Sequence, residues 1–296
     1  MAVRLRALAP AKVNLGLFLG GTREDGRHRL VTVFESLSLA DTLTAAVGDG
    51  GADSVVCPGV EGENLAARAL AALRERGWDG PPVSLEIQKR IPVAAGMAGG
   101  SADAAAALRL AMAIAPGRAE EVDLVASQLG ADVPSQLLSG VSVGTGAGEI
   151  VERFGALAEH AFVVLPSAFG LATPDVFREA DRLDVPRDDA ALEELYERVV
   201  TAVGSGARLP DELLVNDLQA PALSLCPSIG GALEALLEAG ADNAIVSGSG
   251  PTAVGIWWGA GALSRAEAAA STLISRWPGA VAASPVGAEY GAATLI

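Results

Sequence analysis

Apolar and polar positions alternate with period two over residues 29–47, where Leu30, Thr32, Phe34 and Ser36 fall on one side. They alternate again over 82–91, through Val83, Leu85 and Ile87, and that run ends at Pro92. Period two is the mark of strands with one buried face. Residues 3–19 carry apolar and β-branched positions around Lys12 and Asn14, which predicts a strand or a pair of short strands. The segment GGTREDGRH at 20–28 reads as a turn-rich loop. Helical spacing marks 63–77, through Leu65, Ala69, Leu70 and Leu73, with Gly77 as the stop. Further helices are predicted over 102–114 and 119–130, then a Gly/Val-rich strand region over 140–152. The second half predicts a strand at 160–166, a helix from Pro174 and a polar break at 183–190. Helices over 190–203, 219–225 and 229–239 follow, then strands at 243–247 and 252–258 joined by a Gly/Ser turn. A helix at 263–276 and a last strand near 280–284 complete the pattern. Strands and helices mix without a strict βαβ period, which points to an α+β fold. The domain change is placed near 155, giving domains 1–155 and 156–296, and no solenoid repeat is visible.

Composition narrows the function classes. With 296 residues the chain is long enough for two domains, and 50% hydrophobic content excludes a disordered chain. A net charge of −15 argues against a nucleic-acid or anionic-membrane binder, which needs a basic face. Cys57 and Cys226 are too few for a disulfide framework or a Cys-rich zinc site, so the reducing cytoplasm is the expected compartment. The N-terminus lacks a signal peptide's unbroken apolar core, and every long apolar stretch is interrupted by a charge, Gly or Pro. Lysine occurs only at 12 and 89, histidine only at 28 and 160. In a chain otherwise built on arginine, a retained lysine marks a place for a compact point charge.

Four segments carry candidate chemistry. Pro92-Val-Ala-Ala-Gly96-Met-Ala-Gly99-Gly100-Ser101-Ala-Asp103 runs from a strand into an Ala-rich helix. Small residues let backbone approach a ligand, and the helix start offers unpaired N–H groups to an anion. No Gly-Lys-Ser/Thr follows, so it is not the nucleoside-triphosphate P-loop, and the acidic residue of the dinucleotide fingerprint is missing. A tight strand-to-helix turn is the plainer alternative. Val246-Ser247-Gly248-Ser249-Gly250-Pro251-Thr252 is a second, weaker candidate nest, or else a flexible hairpin. Asp132 in Leu129-Gly-Ala-Asp-Val-Pro134 is a candidate carboxylate, although Asp caps many such turns. Lys12 sits inside an apolar strand, where a lysine needs a partner. By default Phe177 is a core aromatic, His160 a surface or capping residue, and the acidic run 188–197 a solvated helix face. Trp257 and Trp258 are by default core and rim residues.

In this order, Pro-Ala-Lys-Val-Asn-Leu (10–15), Asp-Gly-Arg-His (25–28), Glu-Asn-Leu (63–65), the glycine loop, Leu-Gly-Ala-Asp-Val-Pro (129–134), Asn-Asp-Leu (216–218) and Ser-Gly-Ser-Gly (247–250) resemble the GHMP kinase superfamily. Within it they resemble the branch that phosphorylates 4-diphosphocytidyl-2-C-methylerythritol in the non-mevalonate isoprenoid pathway. The resemblance covers nearly the whole chain. It implies a two-domain α+β GHMP kinase fold, with an N-terminal domain like ribosomal protein S5 domain 2 and the active site in the interdomain cleft. It implies ATP and Mg²⁺ as cofactors and a small cytidine-diphosphate substrate phosphorylated on its 2-hydroxyl.

Carried over residue by residue, the resemblance makes Asp132 the general base and Lys12 its neighbour that polarises the hydroxyl. Pro92, Ala94, Ala95, Gly96, Met97, Ala98, Gly99, Gly100, Ser101, Ala102 and Asp103 would form the ATP-phosphate cradle. Ser101 is the one candidate Mg²⁺ ligand, and Asn64 and Lys89 would border adenine. Asn14, Arg27, His28, Thr173, Phe177, Ser247 and Gly248 would bind substrate, with His28 hydrogen-bonding cytosine and Phe177 stacking on it. The chain departs from the family at Arg27, where a stacking Tyr is usual, at Ala95 for Gly, at Met97-Ala98 for Leu-Gly, and at Pro251. An arginine plane can take a stacking role. Two rivals stand: another GHMP kinase, acting on homoserine, mevalonate or a sugar, and a nucleotide-binding regulator without activity. The Asp-Gly-x-His loop and Phe177 speak against the first, Lys12 and Asp132 against the second. Monomer and homodimer are both open.

Overall fold

A long antiparallel hairpin organises the first half of the chain in the computed structural model, which describes residues 4–48, 51–92, 95–167 and 169–296. Strand β1 (Arg4–Thr22) is a single strand of 19 residues paired along its length with β2 (His28–Val47). Its register shifts between Pro10 and Lys12, between Asn14 and Gly16, and between Leu19 and Thr22. Such irregularities re-aim side chains, and two of them bracket Lys12 and Asn14. Then come β3 (Ser54–Val56), α1 (Leu65–Glu75), β4 (Val83–Gln88), α2 (Gly99–Ile114), α3 (Ala119–Leu129), the short α4 (Val133–Gln136), β5 (Val141–Thr145) and β6 (Ile150–Phe154). The region 140–152, expected as one strand stretch, is this β5–β6 hairpin, turning at 146–149.

The second half holds β7 (His160–Leu165), α5 (Thr173–Arg182), α6 (Asp189–Gly204), α7 (Gln219–Leu225), α8 (Ser228–Glu238), β8 (Asn243–Val246), β9 (Ala253–Trp258), α9 (Ala262–Leu273), β10 (Val281–Ala283) and β11 (Thr294–Leu295). Two sheets result. Seven strands form the first, in the order β11-β1-β2-β4-β3 with β5 and β6 continuing from β2; four form the second, in the order β10-β7-β9-β8. The break expected near 155 falls between β6 and β7, where the chain leaves one sheet for the other. The tail, expected in the second domain, returns to the first sheet: Leu295 and Thr294 pair with Leu5 and Arg6. Two residues of strand carry no readable periodicity, so this crossing is invisible in the sequence.

The sheets are joined by one apolar core. Val13, Phe18, Val33 and Leu37 of the first lobe pack with Phe162, Val164, Ile256, Val199 and Leu213 of the second. Each fully buried side chain of this size contributes about 1.5–3 kcal/mol, so the lobes do not part freely. A second core lies under α1 and α2, where Ala102, Ala105 and Leu108 meet Leu43, Leu85 and Ile87. His160 corrects its default reading. It is 6% exposed, its Nε2 lies 2.8 Å from the Glu35 carboxylate and its Nδ1 lies 2.7 Å from the Ala158 carbonyl. The ring rests on Trp258 at 4.5 Å and edge-on to Phe162 at 5.0 Å. Burial would lower the His160 pKa, but the Glu35 carboxylate and the Ala158 carbonyl outweigh it and hold the imidazole above its ordinary value.

Candidate active site

On β1, Lys12 and Asn14 project from the same face, two residues apart, between the register shifts. Lys12 is 4% exposed, and its ammonium donates to Asn14 Oδ1 at 2.6 Å. Asn14 Nδ2 in turn donates to Thr32 Oγ1 at 2.8 Å, and Thr32 to the Gly16 carbonyl at 2.7 Å. This chain across the hairpin fixes the amide's orientation, so that its oxygen faces the lysine. Phe34 lies under the ammonium at 5.2 Å, a favourable cation–π contact. The remaining partner is Asp132, whose Oδ2 is 3.5 Å from Lys12 Nζ. Asp132 sits just before α4 in the capping position, yet its carboxylate makes no capping bond. It is not a turn cap but a free carboxylate beside a buried lysine.

The glycine loop rises opposite. Helix α2 begins at Gly99, three residues earlier than the sequence predicts, because Gly99, Gly100 and Ser101 form its first turn. No side chain caps it, so the first N–H groups are open to an anion. Ala98 stands at the cap in the left-handed conformation, φ 54°. Gly96 adopts φ +70°, and a Cβ there would lie 2.5 Å from the Gly250 carbonyl and 2.9 Å from that of Ser247. Only glycine fits where the two glycine loops, from different lobes, touch. Gly248 adopts φ +56°, strained for any other residue, and a Cβ there would crowd Asn14 Oδ1 at 3.2 Å. The second loop is held by Asn216, whose Nδ2 donates to the Val246 and Gly248 carbonyls, each at 2.7 Å.

Two cavities meet at this contact. One, of about 300 Å³, is lined by Asn64, Lys89, Pro92, Ala95, Met97, Gly99, Gly100 and Asp103. The other, of about 340 Å³, is lined by Lys12, Asn14, Thr32, Phe34, Ser101, Asp132, Thr173, Phe177, Gly248 and Ser249. Gly96 and Ala98 belong to both walls. A larger cavity of about 810 Å³ lies elsewhere, under α6 and the β5–β6 turn. Both arginines in its wall are paired, Arg23 with Glu149 at 2.6 Å and Arg29 with Asp189 at 2.7 Å.

In the first cavity, Lys89 bridges two carboxylates, Asp41 at 2.5 Å and Asp103 at 2.7 Å. Asp41, fully buried, also accepts from the Arg90 and Ile91 amides at 2.5 and 2.8 Å. Asp103 has only the lysine, and its Oδ1 is buried without a partner. Burial therefore pushes the Asp103 carboxyl up to about 7 against the pull of Lys89, and the charge of Asp41 adds to the rise. Burial would lower Lys89, but the two carboxylates outweigh it and hold its ammonium above the usual lysine value. Burial thus favours the neutral form of Asp103, one turn inside a helix start that faces the cavity. Asn64 caps α1, its Oδ1 accepting from the Ala66 amide at 2.9 Å, which leaves Nδ2 as the donor for a ligand.

Several candidate residues are placed differently from expectation. Ser247 is fully buried, with its hydroxyl 3.4 Å from the Gly96 carbonyl; the end of β8 turns it inward, and Gly248 and Ser249 line the cavity instead. Arg27 closes its fork on Asp25, at 2.9 and 3.1 Å, and lies exposed away from the cavity wall. His28 is 7% exposed and stands behind Phe177, ring centroids 5.3 Å apart, with Nε2 2.7 Å from Asp181. The side chains of Met97 and Ala102 belong to the core, so they contribute backbone only. Ala94 lies outside the described residues. Thr32, Phe34, Asp41, Asp181, Asn216 and Ser249 are parts of the arrangement that were not named as site residues. Asn216 and Ser249 belonged to recognised motifs, and the others lie on regular elements without local signal. Among the described residues, no helix is long and apolar enough to cross a membrane.

Known proteins match both halves of the chain. The GHMP kinases N terminal domain matches residues 64–140 and the GHMP kinases C terminal domain matches 191–276. A 4-diphosphocytidyl-2-C-methyl-D-erythritol kinase of Rhodococcus jostii is 44% identical over 255 residues, covering 82% of this chain and 81% of that one. One from Streptomyces coelicolor is 43% identical over 268 residues, covering 85% and 86%. A crystal structure of 4-(cytidine 5'-diphospho)-2C-methyl-D-erythritol kinase superposes with TM-score 0.76 at 32% identity, over 95% of this chain and 99% of that one. A homoserine kinase from Cytophaga hutchinsonii superposes at 0.71 with 15% identity, over 100% of this chain and 97% of that one, which shows the fold alone.

Proposed function

Because the chain belongs to the GHMP kinases, within the 4-diphosphocytidyl-2-C-methyl-D-erythritol kinase family, we propose that Lys12 and Asp132 carry its phosphoryl transfer and that the two touching cavities hold its two substrates. The enzyme phosphorylates 4-diphosphocytidyl-2-C-methyl-D-erythritol in the non-mevalonate isoprenoid pathway, with ATP as co-substrate. The acceptor is its 2-hydroxyl. The lobes are 1–155, which holds ATP, and 156–296, which completes the acceptor side. The single observation that carries the reading is the junction: the cavities share Gly96 and Ala98, and Lys12 and Asp132 stand on one side of it.

ATP takes the cavity of Asn64 and Lys89, with its terminal phosphates over the open amides of Gly99, Gly100 and Ser101. That site gives an acidic chain a place for an anionic ligand. A chain at −15 binds a polyanion through helix-end amides and a positive dipole end, beside a carboxyl whose burial favours its neutral form. The acceptor hydroxyl lies between Lys12 and Asp132. Asp132 takes its proton, the oxygen forms the new bond to the γ-phosphorus, and the bond to the β-phosphate oxygen breaks to leave ADP. Lys12 neutralises charge on the transferring group. Alignment and electrostatics dominate such transfers. Phe177 and Asn14 hold the rest of the substrate, and His28, backed by Asp181, sets the Phe177 ring.

Magnesium fits this chemistry. Ser101 and Asp132 line the same cavity, and Mg²⁺ keeps waters and phosphate oxygens as ligands, so it needs no protein cage. Among the described residues no group of three or more His, Cys, Asp or Glu converges. When bound, the ion would neutralise phosphate charge during transfer. A coupled ADP-release assay with the cytidine substrate tests the reading. Asp132→Asn is expected to lower kcat on the order of 100-fold or more, with the KM for ATP nearly unchanged. Near-full kcat in that variant refutes the base assignment.

A further inference from the structure

Helix α4, which presents Asp132, is four residues long, too short to persist unaided. Of its last three carbonyls, only that of Pro134 has a main-chain partner among the described residues, the Leu137 amide at 3.4 Å. Two arginines take them. Arg153 on β6 donates from Nη1 to Ser135 O at 2.8 Å, from Nη2 to Pro134 O at 2.8 Å, and from Nη1 to Leu138 O. Arg109 on α2 donates from Nη1 to Gln136 O at 2.5 Å and, at longer range, to Leu137 O at 3.5 Å. Its Nη2 reaches Leu8 O at 2.8 Å, and its Nε reaches Gly291 O at 2.9 Å.

The second set of contacts matters most. Leu8 lies four positions before Lys12 on β1, and Gln136 lies four positions after Asp132. One rigid guanidinium therefore grips both segments that carry the 3.5 Å Lys12–Asp132 pair. A flexible ammonium cannot span these carbonyls in fixed directions, whereas a planar fork can. Every hydrogen bond of Arg109 goes to a main-chain carbonyl. Burial pushes its pKa down to about 10, so it stays charged at neutral pH, set against the negative end of α4.

We propose that Arg109, supported by Arg153, is a positioning residue that sets the separation of Lys12 and Asp132 by clamping β1 and the C-terminal end of α4. The proposal rests on Asp132 being the base. Displacing reacting groups by about 1 Å costs on the order of 100-fold in rate, so loss of the clamp is a catalytic defect before it is a binding defect.

The test is steady-state kinetics of Arg109→Lys and Arg153→Lys in the full-length enzyme, each alone and in the Asp132→Asn background, with thermal melting to verify folding. The expected result is a kcat at least tenfold lower for Arg109→Lys, with both KM values within threefold. Arg153→Lys shows a smaller loss of the same kind. In the Asp132→Asn background, neither substitution lowers the residual kcat by more than about threefold. A structural defect would instead be additive with Asp132→Asn and would raise KM. Additive losses, or Arg109→Lys with wild-type kcat, overturn the proposal. If Arg109→Lys does not fold, the Arg153→Lys series decides by the same criteria. Asp132→Asn with near wild-type kcat refutes the base reading itself, whatever the arginines do.

Discussion

Replacing His160 by alanine is expected to cost about 3–5 kcal/mol of unfolding free energy, the range for stripping one partner from a buried ion pair. The magnitude follows from its surroundings. Glu35 is 1% exposed, and the imidazole 2.8 Å away is its charge partner. Removing the ring leaves a carboxylate in the core and a void against Phe162 and Trp258. Both ring nitrogens face acceptors, Glu35 and the Ala158 carbonyl. Only the doubly protonated ring donates to both, which is why its pKa is raised. A raised pKa means that the folded state binds the proton more tightly than the unfolded chain. The contribution is complete below the unfolded value of 6.5 and is lost as pH rises through the folded value. The gap between wild type and His160→Ala should therefore be widest below about pH 6.5 and narrow as pH rises into the alkaline range. Urea unfolding followed by tryptophan fluorescence at several pH values reads this directly. A cost below about 1 kcal/mol, or a gap that widens with alkalinity, would refute the reasoning.

Lys12→Met should lower kcat on the order of 100-fold with little loss of stability, and Lys12→Arg should not restore it, because Asn14, Phe34 and Asp132 enclose a point charge; an arginine variant within threefold of wild type would show that charge alone suffices. Ala98→Gly should stabilise the protein by about 0.5–1 kcal/mol, since relief of about 1–2 kcal/mol of left-handed strain exceeds about 0.4–1 kcal/mol of added unfolded-chain freedom. A lower denaturation midpoint would contradict that. Asp103 has its carboxyl raised from 3.8 to about 7, so the folded state holds the extra proton and stability declines as pH climbs across that window. Asp103→Asn should flatten the decline, and an unchanged pH profile of the urea midpoint would count against the assignment.

The chemistry of the site was largely legible because it rests on short motifs and rare residues. Lys12, Asn14 and Asp132 stand in local patterns that need no tertiary knowledge, and the glycine run announces a helix start. The partners of these residues were not legible. Thr32, which orients Asn14, and Asp41, which holds Lys89, are ordinary strand positions whose value comes from what lies across the sheet. His160 read as a surface residue because a single histidine has no period, and its partner is 125 residues away in the chain. Ser247 entered as a substrate residue only through the family resemblance; here the end of β8 turns it inward. Arg27 read as a replacement for a stacking ring, but the nearby Asp25 claims its fork.

By itself the sequence determined the α+β class, the strand and helix periods, and the residue types proposed to meet the phosphate and the acceptor hydroxyl. Those features depend on spacing along the chain. Tertiary structure alone decided that β11 returns to the first sheet, that two glycine loops from different lobes touch at Gly96, and that Arg109 ties β1 to α4. These depend on distances between residues far apart in the chain, and hydrogen-bond geometry, not periodicity, sets them.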